Sequence, residues 1–228
     1  EEIDLYNARL SRRISRVLAV ENSPSEVNAL NRMFSIIGNV ERIGDHATNI
    51  AGYARTMMER RLELSSQASA ELADMRTSCM GAVRLICSAC IAESKPRPEQ
   101  DSLPEQALLL EQDIDRRTAR YRSNQIERMR KGKCHVETSI LYSEILTDYE
   151  RIGDHAESIV EIIPQLYENG LTLSEDSARE LEEMMKLINK ILRESVEMFV
   201  TGETVHMQEI SDIENTIDQM ERSLQRTH

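Results

Sequence analysis

Glu41-Arg-Ile-Gly-Asp-His-Ala-Thr-Asn-Ile50 recurs as Glu150-Arg-Ile-Gly-Asp-His-Ala-Glu-Ser-Ile159, with the first seven positions identical and an offset of 109 residues. The 228-residue chain is therefore an internal duplication. Core packing asks only for apolar side chains of about the right size. It does not hold Glu, Arg, Asp and His in register, so the repeated segment carries a chemical or interfacial role. Around its first copy, Leu30, Met33, Ile37, Val40, Gly44, Ala47, Ala51, Ala54 and Met58 recur at alternating steps of three and four. That spacing predicts one long amphipathic helix, with Ile36, Ile43, Ile50 and Met57 widening its apolar stripe. Gly44 and Gly153 each cost about 1 kcal/mol relative to Ala inside a helix. Their presence in both copies predicts close approach by a neighbouring helix.

Composition points the same way. Apolar residues make up 40 % of the chain, aromatics only 4 %, Trp is absent, and Gly (8) and Pro (5) are scarce. This is the profile of long packed helices. A net charge of −12 argues against a nucleic-acid partner, whose phosphates such a field repels, and suits cations or basic surfaces. There is no apolar run of about 18 residues to span a membrane; the most apolar stretch, 81–91, contains Arg84. No signal peptide is visible. The chain opens inside a helical pattern without Met, and the expectation is a piece cut from a longer protein. Cys87-x-x-Cys90 has no partner pair at zinc-finger spacing, so the four cysteines are expected to be reduced thiols of a cytosolic protein.

Punctuation divides the chain into seven expected helices: 1–20, 22–62, 67–93, 103–130, 136–168, 174–201 and 204–227. Asn22-Ser-Pro-Ser can cap the second, two prolines in 94–98 forbid continuation of the third, and Lys131-Gly-Lys ends the fourth. A second repeat supports the first: Glu111-Gln-Asp-Ile-Asp115 and Glu214-Asn-Thr-Ile-Asp218, with Ile3-Asp4 as a truncated relative. The expected units are 1–94, 95–170 (with 67–94 as its first helix) and a partial third at 171–228.

On a helix, Glu41 and Asp45 share one face a turn apart, as do Glu150 and Asp154, and Asn49 extends the first ridge. Like charges at this spacing repel; a bound cation reverses the sign. Carboxylate oxygens suit magnesium, calcium, manganese and iron. Glu111, Asp115, Glu214 and Asp218 on neighbouring helices could complete a shell. His46 and His155 sit five residues after the glutamates and point elsewhere on the helix. The bland alternative is a solvated ion-pair face built on Arg42, worth little energetically; the duplication favours the functional reading. A di-iron enzyme needs two Glu-x-x-His helices; only Glu203-Thr-Val-His206 matches, and no nucleophilic triad or phosphate loop is present. An enzyme is not expected.

At this motif the chain resembles the PhoU family of phosphate-signalling proteins. The stretches Asn124-Gln-Ile-Glu-Arg-Met-Arg-Lys-Gly-Lys-Cys134 and 143–155 resemble, more narrowly, the PhoU-like tail of bacterial sodium/phosphate cotransporters. The resemblance implies an all-α fold of tandem three-helix bundles, spectrin-like in their long antiparallel helices. It implies multinuclear iron or zinc at Glu41, Asp45, Asn49, Glu150 and Asp154; manganese and magnesium also suit such oxygens, and which of Glu111, Asp115, Glu214 and Asp218 join them stays open. Ser158 departs from the family's Asn at that place, which makes the second site the weaker one. The expected role is a metal-binding regulatory domain of phosphate transport, cytoplasmic and tethered to the inner membrane as part of a sodium-dependent symporter. Its expected partner is the transporter's membrane domain, or itself as a homo-oligomer. A free-standing PhoU regulator of phosphate ABC transport and a metal-free helical scaffold are the alternatives.

Overall fold

The computed structural model describes residues 24–91 and 102–168, with 4, 5, 7–9, 11 and 12 near the start and 186, 187, 189, 190, 193 and 194 near the end. Its described elements are four long helices: α1 (Pro24–Glu59), α2 (Ser66–Ile91), α3 (Leu103–Arg130) and α4 (Val136–Glu168). The all-α expectation is borne out, and the helix boundaries follow the punctuation read from the sequence. The expected helices at 174–201 and 204–227 lie outside the described residues, apart from the few positions named above.

α4 is the central element. It packs against α1 on one side and against α2 and α3 on the other, and α2 and α3 also pack together. Serving three neighbours, α4 buries Tyr142, Ile145, Leu146, Tyr149, Ile152, Ala156, Ile159, Val160 and Ile163. Pro164 sits inside the helix without ending it. α1 buries Ile36, Ile43, Ile50 and Met57, each a heptad from the next, together with Val40, Ala47 and Ala54. The expected line is buried at Ile37, Val40, Gly44, Ala47, Ala51 and Ala54, while Met33 and Met58 towards its ends are half-buried. Packing on α4 takes the isoleucine ridge beside it into the core as well.

Two corners end in the same cap. At the end of α3 the Lys133 N–H donates to Arg128 O (2.9 Å) and Gly132 N–H to Met129 O (2.9 Å), with Gly132 at φ +63°. This is a Schellman motif, for which glycine is suited because it lacks a Cβ to clash in the left-handed region. After α1, Leu62 N–H donates to Met57 O (2.8 Å) and Arg61, at φ +52°, holds the left-handed position.

The inner face of α3 changes character along its length. It begins with Ala107 and Ile114 and ends with Thr118, Gln125 and Arg128, all buried. Buried polar groups demand partners, and α2 and α4 supply them to Gln125 and Arg128, though not to Thr118 Oγ1 or Arg128 Nη1. Glu71 of α2 accepts from Arg128 Nη2 (2.8 Å), Tyr142 Oη (2.5 Å) and Asn124 Nδ2 (2.7 Å). Gln125 donates to Ser139 Oγ (2.7 Å) and accepts from Arg128 Nε (2.7 Å), and the guanidinium lies 5.2 Å from the Tyr142 ring centre. A second, outer link joins Asp74 of α2 to Arg117 and Tyr121 of α3.

Candidate metal centre and the crossing of the motif helices

The repeated motifs lie on α1 and α4, the two helices that face each other. Buried isoleucines on both sides set their contact, and the polar motif residues fall along its edges. In the second copy, Glu111 and Asp115 of α3 meet Asp154 of α4, with a carboxylate oxygen of each within 4.8 Å of the others. Gly153 makes this approach fit. A Cβ built there would lie 3.0 Å from Ile114 Cδ1, and Ile114 is fully buried between the two α3 acids. Here the helix-breaking residue of the motif has a packing reason that the sequence anticipated.

Burial and mutual repulsion dominate the electrostatics of this cluster, outweighing the pull of Arg151 and His46 on Asp154. Among the described residues, no Arg or Lys pairs with any of the three. Desolvation, then Asp115, Glu157 and Asp154, push Glu111 up to about 7. Desolvation and Asp115 raise Asp154. Desolvation, then Glu161, Asp154 and Asp115, raise Glu157, which lies at the rim and was not picked out from the sequence as a ligand. Three convergent hard oxygens with raised proton affinity fit a hard divalent or trivalent cation by donor chemistry.

The first copy places Glu41 and Asp45 near Asp4. Desolvation, then Asp4 and Asp45, raise Glu41; desolvation, then Asp4, raise Asp45. Asn7 donates to Glu41 Oε2. Asp4, Glu41 and Asp45 thus correspond in sequence to Asp115, Glu150 and Asp154, but among the described residues their carboxylates do not converge as Glu111, Asp115 and Asp154 do. The remaining expected ligands divide. Glu150 is engaged by Arg122 (Nη2 to Oε2, 3.0 Å) and does not join the three-acid cluster. Asn49 is exposed a turn beyond Asp45. Glu214, Asp218, the Glu203–His206 pair and the side chains of Cys87 and Cys90 lie outside the described residues.

The motif histidines bridge the repeats. His46 Nδ1 meets Asp148 Oδ1 at 2.7 Å, and His155 Nδ1 meets Asn39 Oδ1 at 2.9 Å. Their rings stack with centroids 5.6 Å apart and planes inclined by 19°. Asn39 and Asp148 stand at the same 109-residue offset as the motif. That pairing was a signal in the sequence, two residues upstream of the identical run.

Comparison with known proteins follows the geometry. The PhoU domain family profile matches residues 1–54 and 98–163, more than half the chain. The chain belongs to the PhoU domain family. It is similar to the phosphate-specific transport system accessory protein PhoU homolog 1 of Thermotoga maritima, 26 % identical over 160 residues, covering 70 % of this chain and 66 % of that protein. The chain thus spans just under two thirds of that relative's length. No solved structure gives a significant match. No helix of the described residues is long and apolar enough to cross a membrane.

Membership gives the Gly153 packing a testable consequence. Gly153→Ala places a methyl group 3.0 Å from Ile114 Cδ1, which must give by a few tenths of an ångström, and this opposes the helix-propensity gain of about 1 kcal/mol. Thermal melting should change little or fall slightly. Were a cation held by Glu111, Asp115 and Asp154, its affinity should fall roughly tenfold as α3 is pushed from α4.

Proposed function

We propose that this chain is a PhoU-type regulator of phosphate transport, and that a metal ion held at its acidic clusters sets how it docks on the transport machinery. One observation carries the metal: a carboxylate oxygen of each of Glu111, Asp115 and Asp154 lies within 4.8 Å of the others. Folding tolerates such a cluster more readily when a cation offsets the repulsion. Glu111, Asp115 and Asp154 would hold the ion of one repeat, with Glu157 at the rim. Asp4, Glu41 and Asp45 would hold that of the other. The family and the relative's role in phosphate-specific transport support the regulatory reading.

The free-standing accessory protein is the reading the relative supports. The likeness of 124–134 and 143–155 to the tail of sodium/phosphate cotransporters favours a second, in which the same bundle is tethered to a transporter. Both predict the same phenotype. In the intact protein, Asp45→Asn with Asp154→Asn should abolish the response of phosphate uptake to phosphate supply. Uptake and its regulation unchanged from wild type would contradict the proposal.

A further inference from the structure

Charge is unevenly spread along α3 and the turn after it. Residues 103–115 carry four acids and no base, whereas residues 116–133 carry eight bases and one acid, a formal +7 in a chain of −12. From Asp115 to Arg130 the helix runs roughly 22 Å, more than two Debye lengths in physiological salt, so each end presents its own field. Arg117, Arg122 and Arg128 are engaged by Asp74, Glu150 and Glu71. Arg130 and Lys133, at the α3–α4 corner, are exposed and make no ion pair among the described residues. Lys131 pairs with Glu127 at 3.0 Å on the open surface, where such a pair is weak.

The same corner exposes apolar surface. Of the seven large apolar residues exposed among the described ones, four are here: Ile126 (53 %), Met129 (41 %), Val136 (64 %) and Ile140 (56 %). Arg122 Nη2 donates to Thr147 Oγ1 (2.8 Å) and Gln125 Nε2 to Ser139 Oγ (2.7 Å), which fixes the antiparallel register of α3 on α4. Ile126 follows Arg122 by one turn and Met129 by two; Ile140 precedes Thr147 by two turns and Val136 by three. The four therefore stand on the two ridges that this register joins, Met129 opposite Val136 and Ile126 opposite Ile140. Arg61, in the turn after α1, lines one cavity with Lys133 and Val136, so the two turns and their cations share one end of the bundle. At 41–64 % exposure the four side chains project from that end, whereas a groove made for a partner helix would shelter its apolar floor.

We propose that this end of the bundle docks on a membrane surface rich in anionic lipid: the four apolar side chains enter the interface, and Arg61, Arg130 and Lys133 meet the headgroups. An apolar centre with a basic rim combines the two attractions that such a surface offers. A second copy docked about a two-fold axis would bring like-charged rims together. A nucleic acid asks for aromatic side chains on which bases stack, and none of the four is aromatic. Docked in this way, the acidic end of α3, with Glu111 and Asp115, is held away from the lipid charge that would repel it. The inference goes beyond the regulatory reading and needs neither metal nor phosphate.

The test is flotation of the whole chain with vesicles of phosphatidylcholine mixed with phosphatidylglycerol, beside vesicles of phosphatidylcholine alone. The expected result is flotation with the anionic vesicles only, declining as salt is raised. Arg130→Gln with Lys133→Gln should weaken partitioning roughly 25-fold, at about fivefold per cation. Val136→Ser with Ile140→Ser should weaken it roughly tenfold or more. Leu109→Ser, at the acidic end of α3, should leave it unchanged, and all variants, altered at exposed positions, should melt as wild type does. No flotation with anionic vesicles at low salt would overturn the proposal. So would equal flotation with phosphatidylcholine alone, or full binding by Val136→Ser/Ile140→Ser, which marks a purely electrostatic surface. A dimer in analytical ultracentrifugation that the same two substitutions dissolve, with no flotation, would assign the patch to a second copy instead. Control of phosphate uptake is read separately, so failure of membrane docking and failure of the regulatory role are distinguishable.

Discussion

Arg128→Ala is expected to lower the melting temperature by roughly 10 °C or more, the largest stability effect in this fold. Arg128 and Glu71 are each only 7 % exposed at the side chain and pair at 2.8 Å. Removing one partner leaves the other charge buried and uncompensated, which costs about 3–5 kcal/mol; at this chain length each kcal/mol moves the transition by about 2–4 °C. Gln125 would also lose its donor from Arg128 Nε. Glu71→Met with Arg128→Met should lose less than Arg128→Ala alone, because neither charge remains. The pair has a pH signature. Burial pushes the Glu71 carboxyl up, but hydrogen bonds from Arg128, Tyr142 and Asn124 outweigh it, and the net direction is below its usual 4.5. A depressed carboxyl stabilises the fold above its unfolded value and loses that contribution as pH falls through the folded one. Melting scans should therefore decline below about pH 4.5 in wild type and decline less in Glu71→Gln.

The second large effect concerns the cation. Glu111→Gln with Asp154→Asn removes two of three convergent carboxylates. Titration calorimetry with manganese or iron should show affinity at that repeat reduced by roughly 100-fold or more. Single substitution of Glu150 should matter less, since Arg122 already engages it. Affinity in wild type should rise from about pH 6 to about pH 8, because Glu111, raised to about 7, must shed its proton to bind. The apo protein is expected to follow the opposite trend in stability. A carboxyl raised in the folded state favours folding below its usual 4.5 and loses that contribution as pH rises through about 7. The stabilisation given by metal should therefore widen toward neutral and alkaline pH.

Much of the fold was legible in the sequence because long helices carry redundant signals: a stripe of several turns, glycine and proline punctuation, and a duplicated segment. That α4 would be the helix covering the α1 stripe was less so, since periodicity gives a face but not the neighbour that packs on it. The acidic ridge pointed to Asp154, and the Glu-x-x-Ile-Asp repeat pointed to Glu111 and Asp115. Their meeting depends on helix packing around Gly153, for which the glycine was the one visible hint. The diversion of Glu150 to Arg122 had no local signature, because the arginine lies 28 residues away on another helix. The same holds for Glu71 and Arg128, separated by 57 residues. The histidines read as bystanders to the carboxylates on a single helix wheel. Only two helices laid across each other show that they join the repeats.

The central claim, that the repeated acidic motif holds metal, is tested most directly by metal content. Protein purified without chelator or nickel resin would be analysed by inductively coupled plasma mass spectrometry beside the Asp45→Asn/Asp154→Asn variant. The account predicts at least one equivalent of iron, zinc or manganese in wild type and a substoichiometric residue in the variant. A wild-type protein that is empty as purified, and stays empty after dialysis against those ions, would contradict it and leave the ridge as a helical interface.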